Sequence, residues 1–367
     1  MDGMAIEGEV AAMRPRRIER LLLFNLATDD QDPLLAFTVG WIRALADRVP
    51  YVDVVTMRSG TADLPGNVRV YSVGKERGWN EARRLVEFYR RLGLLLHEQS
   101  YDACFAHMQE LFALLAAPLL RPKRVPITLW YCHPHTPLQL RAAIKVVDRV
   151  ISADASSCRV PTSKLLVTGH GIDTDRFVPA FCQRSRFRLL VVGRITPLKR
   201  LDRLVDAIAR LHDRLPRGLE VRLIGPTPDG DAAYEAELRR RAAELGVASR
   251  ITFVGSLGTE ALVTEYQAAD ALVSLHIAGS FDKSALEGMS CGLPLLTTNP
   301  AFAPIMTGAD APGLIPGGDV GALAQGIELL ANAPVEERRQ WGLALRAEVV
   351  RSHSLQRLAD LLVDEIL

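Results

Sequence analysis

The feature that most constrains this chain is a short apolar run ending in glycine, repeated through the second half with helix-spaced residues between the copies. Runs 189–193, 221–225 and 251–255 each read as a buried strand with a tight exit turn. Between the first two, Leu201, Leu204, Val205, Ile208, Leu211 and Leu215 recur at helical spacing and form one apolar face. Strand, helix, strand in that order predicts a parallel pair with its crossover. Further strands are expected at 271–276, 293–298 and 313–316, with helices near 259–269, 283–291 and 319–331. Strands that are apolar throughout, rather than alternating, belong to a sheet covered on both faces, so the fold class is α/β.

The first half follows the same logic, with strands near 19–25, 51–57, 68–73, 102–107, 125–131, 149–152 and 164–168 and helices such as 34–47 and 80–99. A chain of 367 residues is too long for one ordinary core and suits two such units. The boundary falls at 171–188, where Pro179 and a basic, weakly periodic stretch interrupt the alternation and predict a hinge. The expected division is a disordered tail over 1–17, a first domain over 18–175 and a second over 176–350. A last amphipathic stretch, 335–367, either caps the second domain or returns to pack on the first, with 351–367 as the helix that would make the return.

Composition narrows the function. A formal net charge of +1 gives neither half the basic surface of a nucleic-acid binder. The five cysteines are scattered, with no Cys-x-x-Cys pair for zinc or disulfide exchange, and predict a reducing, cytoplasmic setting. The apolar run 21–26 is closed by Asp29 and Asp30 and reads as a strand rather than a signal peptide. Run 111–120 is about half the length needed to span a bilayer.

Three places just past expected strands carry chemistry, since ligands of open α/β sheets bind beyond the carboxyl ends of the strands. The first is Gly193-Arg194-Ile195-Thr196-Pro197-Leu198-Lys199-Arg200. A helix start with free backbone N–H groups, flanked by a guanidinium and an ammonium, makes a pyrophosphate site; the competing reading is a solvated basic turn. The second runs from Gly279 and Ser280 through Phe281, Asp282 and Lys283 to Glu287. The small residues admit a ligand close to backbone, and Glu287, inside an otherwise apolar helix, can accept from two adjacent hydroxyls such as those of a ribose. The third is Trp130-Tyr131-Cys132-His133-Pro134-His135, where His133 can serve a sugar hydroxyl or developing charge. His107 and His170 are further histidines at strand ends, and none of the three has the spacing of a metal ligand.

With these residues in view the chain resembles glycosyltransferase family 4, the retaining GT-B enzymes, over about residues 19–365. The resemblance rests on Gly193, Arg194 and Lys199, on the Leu-Glu-Gly-Met-Ser-Cys-Gly-Leu-Pro segment at 286–294, and on Gly169-His170-Gly171-Ile172-Asp173 with Phe177. It implies two Rossmann-like doubly wound domains facing across a cleft. It also implies that Arg194 and Lys199 hold the diphosphate of a nucleotide-sugar donor, that Glu287 binds the ribose and that His133 lies beside the transferred sugar. Gly193, Gly171, Gly279, Ser280, Phe281 and Lys283 would complete the donor site. The family commonly has a second glutamate where this chain has Gly279, and Asp282 is the candidate substitute, so Arg194, Lys199, His133 and Asp282 form the expected catalytic set. The usual paired glycines after the first strand are replaced by Ala27-Thr28-Asp29-Asp30-Gln31-Asp32-Pro33, which makes Asp29, Asp30 and Asp32, with His107, the candidate acceptor-binding residues.

The resemblance implies retention of anomeric configuration, a glycan, lipid-linked or small-molecule acceptor, and no essential metal or bound cofactor, because fixed cations stabilise the leaving group. Two alternatives stay open: a non-catalytic nucleotide-sugar binder, which would not hydrolyse the donor, and a GT-B epimerase, which would convert it with no acceptor. Helix 80–99 sets Arg83, Arg84, Arg90 and Arg91 beside Leu85, Phe88, Tyr89, Leu92, Leu95 and Leu96. That pattern fits either peripheral docking on an anionic membrane or ordinary core packing.

Overall fold

The computed structural model describes residues 17–32, 34–133, 135–180, 186–211, 214, 218–276, 280–309 and 311–367. The expected tail therefore lies almost wholly outside the described residues, as does Gly279. Strands β1 (Arg20–Thr28), β2 (Tyr51–Ser59), β3 (Val68–Ser72), β4 (Ala103–His107), β5 (Ile127–Trp130), β6 (Arg149–Ser152) and β7 (Leu165–Val167) form one sheet in the order β3-β2-β1-β4-β5-β6-β7. A second sheet holds β8 (Phe187–Val192), β9 (Leu219–Ile224), β10 (Ile251–Gly255), β11 (Ala271–Ser274) and β12 (Leu295–Thr297) in the order β10-β9-β8-β11-β12. Every pairing in both is parallel.

Helices α1 (Phe37–Ala46), α2 (Glu81–Glu98), α3 (Glu110–Leu120) and α4 (Leu138–Val146) flank the first sheet, and α5 (Leu201–Leu211), α6 (Ala232–Glu244), α7 (Thr259–Gln267), α8 (Lys283–Ser290), α9 (Ala303–Gly308) and α10 (Val320–Asn332) serve the second. Each sheet is buried on both faces, because each has two separate apolar clusters packed on it. The spacing predicts most of these elements. It misses the short α9 and also α6, whose charged sequence buries only Leu238 and Ala242, and it overstates the strand at 313–316. Only Leu314 pairs there, in a single parallel bridge to Thr297. Pro312 and Pro316 flank it and have no N–H to donate to a ladder.

Helix α11 (Val335–His353) packs against α8, with Leu345 and Val349 buried in the second domain. The chain then crosses back. In α12 (Leu355–Leu361) and the π turn Leu362–Ile366, the side chains of Leu355, Leu358, Ala359, Leu362 and Ile366 join Leu21, Leu23, Trp41 and Leu45 in a core of the first domain. The return lies beside the outward crossing: Ile172 N–H donates to the His353 carbonyl at 2.7 Å, and Leu355 N–H donates to the Ile172 carbonyl at 2.7 Å. Gly169 sits at φ 84°, where a Cβ would stand 1.9 Å from the Ser352 carbonyl oxygen. Leu358→Ala should therefore destabilise the first domain, whose core it joins, by about 2–5 kcal/mol. Urea unfolding followed by tryptophan emission, with Trp41 beside this contact, should show a lower midpoint.

Candidate functional site

In the second sheet the order reverses at β8, whose neighbours are β9 on one side and β11 on the other. The crevice outside the carboxyl ends of strands at such a reversal is the general ligand site of open α/β sheets. Here it is a cavity of about 440 Å³, lined from the second domain by Gly193, Arg194, Lys199, Gly225, Ser256, His276, Ser280–Ser284 and Glu287, and from the first by Leu34, Cys132 and His170. The structure thus gathers the first two expected segments, which lie about 90 residues apart, into one wall.

Gly193 leaves β8 at φ 143°, a Cβ there would stand 2.9 Å from Cε of Lys199, and the lysine stem lies across this gap. Thr196 Oγ1 accepts from Leu198 N–H at 3.2 Å and starts a short 3₁₀ turn, Pro197–Lys199, before α5 begins at Leu201. One expectation is corrected here. The N–H groups of Leu201 and Asp202 are not free for an anion, because the Tyr234 hydroxyl oxygen accepts both, at 2.9 and 3.4 Å. Positive charge in the crevice comes from side chains. Arg194 is exposed and has no hydrogen-bond or ion-pair partner among the described residues, whereas Lys199 Nζ lies 2.6 Å from Asp282 Oδ2.

Asp282 precedes α8 but does not cap it. Its Oδ2 also accepts from Ser274 Oγ, and its Oδ1 from Ser284 Oγ, both at 2.8 Å. Burial pushes this carboxyl up, but the Lys199 ammonium and the two hydroxyls outweigh that and hold it below its ordinary value. Glu287 is 5% exposed, paired with Lys283 one turn before it and 3.3 Å from the Tyr266 hydroxyl. Lys283 Nζ stands 4.8 Å from the ring centre of Phe37, across the cleft. Phe281 packs edge-on to Phe302 and His353, and its N–H points at Asp154 Oδ2 of the first domain, 3.4 Å away.

The first-domain expectations divide. His133 is exposed, with its N–H on the Ser157 carbonyl and its Nδ1 accepting from His135 N–H; partial burial, His135 and then Arg194 lower its pKa. Its neighbour Cys132 lines the cavity. His107 does not reach the surface: it is 2% exposed, set among Trp41, Trp130, Phe37 and Phe105, so it cannot touch an acceptor as expected. Asp32 is likewise buried, paired with Arg58 and accepting from Leu34 and Leu35 N–H; Asp30 holds Arg43 and Asp63 N–H. Asp29 accepts from Gln31 N–H within the same loop. These carboxylates shape the turn that replaces the paired glycines. Gly171 faces Trp41 and Leu358 at the domain crossing rather than the cavity. His276 and Asp154 were not singled out from sequence, although each lies just past a strand end, which is the signal that could have found them.

Residues 173–347 match the family of glycosyl transferases group 1. The group 1 segment contains the whole second-domain wall of the cavity. The D-inositol 3-phosphate glycosyltransferase of Mycobacterium sp. (strain KMS) is 34% identical over 195 residues, 48% of this chain and 42% of that relative. That of Mycolicibacterium smegmatis is 30% identical over 222 residues, 55% and 50%. The matches thus span half or less of those relatives' length. Among solved structures, Anabaena HepE in complex with UDP and glucose superposes with a TM-score of 0.72 at 16% identity, covering 93% of this chain and 97% of that one. Sucrose-phosphate synthase from Thermosynechococcus elongatus gives 0.71 at 18%, covering 93% and 96%. The shared fold is GT-B, two Rossmann-like domains facing across a cleft.

The histidines behind the cleft generate a pH prediction. Burial, with His170 adding to it, pushes His107 down to about 3, and burial, then Arg357, pushes His353 down to about 4. An unfolded chain titrates its histidines near 6.5. Between about 4 and 6.5 it binds more protons than the folded one, so stability should fall as pH drops through that window and level off above it. His107 Nε2 has no hydrogen-bond partner among the described residues. His107→Phe should accordingly shallow this pH dependence without loss of stability at pH 7, measured as urea midpoints from pH 4 to 7.5.

Proposed function

We propose that this protein is a glycosyltransferase that moves a sugar from a nucleoside diphosphate onto a hydroxyl of a glycan, lipid-linked or small-molecule acceptor. The observation that carries the reading is the convergence of Arg194, Lys199 and the buried Glu287 on one crevice at the β8/β11 reversal. Two cations there suit linked phosphates. A carboxylate on the adjacent helix suits the paired hydroxyls of a ribose. The UDP and UDP-glucose complexes of the structural neighbour support a nucleotide-sugar donor.

As the bond between sugar and phosphate breaks, negative charge grows on the leaving diphosphate, and fixed cations stabilise it most where water is excluded. Arg194 is free to reach it and Lys199 is anchored beside it. These side chains take the part a divalent ion would otherwise play, so turnover should not require added metal. His133, next to the cavity-lining Cys132 and close enough to Arg194 to feel its charge, is the candidate partner for the transferred sugar. Retention of configuration follows the family resemblance.

For the acceptor side, α2 offers a candidate surface. Phe88, Leu92, Leu95 and Leu96 are spent on the core, while Leu85, Val86 and Tyr89 remain exposed beside Arg83, which stacks on Trp79 at 3.9 Å. No helix among the described residues is long and apolar enough to cross a membrane. A peripheral contact with anionic lipid through this face would bring lipid-linked acceptors to the cleft. Vesicles rich in phosphatidylglycerol should bind the protein at low salt, and Val86→Glu should abolish that binding; no binding by the wild type removes the membrane contact from the reading.

Thermal shift against a panel of nucleotide sugars should identify the donor by a raised Tm. With that donor, Lys199→Ala should lower turnover by about 100-fold or more, the scale of losing one transition-state donor. Full activity in that variant would reject the site.

A further inference from the structure

The following rests on the donor-diphosphate reading of the cleft and concerns Asp282. A substitute sugar contact needs a carboxylate oxygen turned into the cavity. Instead both oxygens already have partners within the wall. Oδ2 receives the Lys199 ammonium at 2.6 Å and Ser274 Oγ at 2.8 Å, and Oδ1 lies 2.8 Å from Ser284 Oγ. The Ser284 hydroxyl is also 2.9 Å from the Val192 carbonyl, so its one hydrogen is shared between two acceptors. Val192 ends β8 and Ser274 ends β11, the two strands that flank the reversal. The carboxylate is therefore tied to the framework, not to the cavity loop alone.

The cation it holds is built in as tightly. The Asp282 and Lys199 side chains are 10% and 17% exposed, and the lysine stem crosses the gap left by Gly193. An ammonium with so little water around it needs a counter-charge, and removing the partner of such a pair leaves an uncompensated charge at considerable cost. Arg194, exposed and unpaired among the described residues, is under no such restraint.

We propose that Asp282 is a positioning residue acting as an internal counter-anion: it holds Lys199 while the cleft is empty, yields it to an incoming diphosphate, and takes it back as the nucleoside diphosphate leaves. The diphosphate carries more charge than the carboxylate and wins the ammonium when bound. Because the empty state is already paired, binding gains less than it would from a bare lysine. Release is correspondingly easier, and product release limits turnover in many enzymes.

Asp282→Asn keeps the size of the side chain and removes its charge. Calorimetry with UDP, GDP and ADP should identify the nucleotide that the wild type binds. Asp282→Asn should bind that nucleotide about 10-fold tighter or more and release it more slowly in stopped flow, with kcat and KM both lower. In a Lys199→Met background the same substitution should change that affinity by less than about 2-fold, since the effect runs through the lysine. A crystal of the wild type with the nucleotide should show Lys199 Nζ on a phosphate oxygen and beyond hydrogen-bond reach of Asp282, a readout that does not depend on the variant folding. Unchanged or weaker nucleotide affinity in Asp282→Asn, or an intact Lys199–Asp282 pair in the complex, would overturn the inference alone. A wild type that binds none of the three nucleotides would overturn the donor reading and this inference with it.

Discussion

The cleft depends on a backbone seam only a few residues long. The chain leaves the first domain at Gly169–Ile172 and re-enters it at His353–Leu355, and the two passages are joined by reciprocal hydrogen bonds between Ile172 and both His353 and Leu355. At Gly169 and Gly171 that approach leaves no room for a side chain. At Gly171, φ is 76° and a Cβ would stand 2.6 Å from the Trp41 ring. With both crossings at one place, the facing walls are set by a single joint. The ring of Phe281, on the loop that carries Asp282, lies 4.6 Å from the His353 ring at that joint. Cavity geometry and domain orientation are therefore mechanically connected.

The charges on the second-domain wall are organised around the same economy. Two consecutive residues at the start of α8 each belong to an ion pair: Asp282 with Lys199 and Lys283 with Glu287. Pairing is what allows charged groups to sit in a poorly hydrated crevice at all. His170 adds no charge at neutral pH, since burial and then Lys283 push it down to about 4. Arg194 is left as the exposed cation at the mouth. The wall thus presents an open guanidinium, Arg194, together with a lysine, Lys199, that Asp282 already neutralises.

What was legible in the sequence is what local periodicity and chain chemistry dictate. Buried parallel strands must be apolar along their length, so nearly all strands could be placed. Gly193 with Arg194 and Lys199, and Glu287 in an apolar helix, stood out because glycine and charge are costly where they lie unless something uses them. The same rule gave too much weight to other polar residues. Asp32 and His107 look identical to ligand-binding groups in one dimension, yet the folded chain uses the first to pair with Arg58 and fix a turn and the second to fill space between Trp41 and Trp130.

The sequence by itself determined the α/β class, the two-unit organisation and the candidate cationic residues Arg194 and Lys199, because those follow from spacing along the chain and from side-chain chemistry. Only the tertiary structure decided how those residues are partnered. Lys199 and Asp282 are 83 positions apart, Phe281 and Asp154 are 127 apart, and Tyr234 reaches the start of α5 across 33. Partnerships of that kind are set by which strand ends the sheet order brings together, and no local pattern records them.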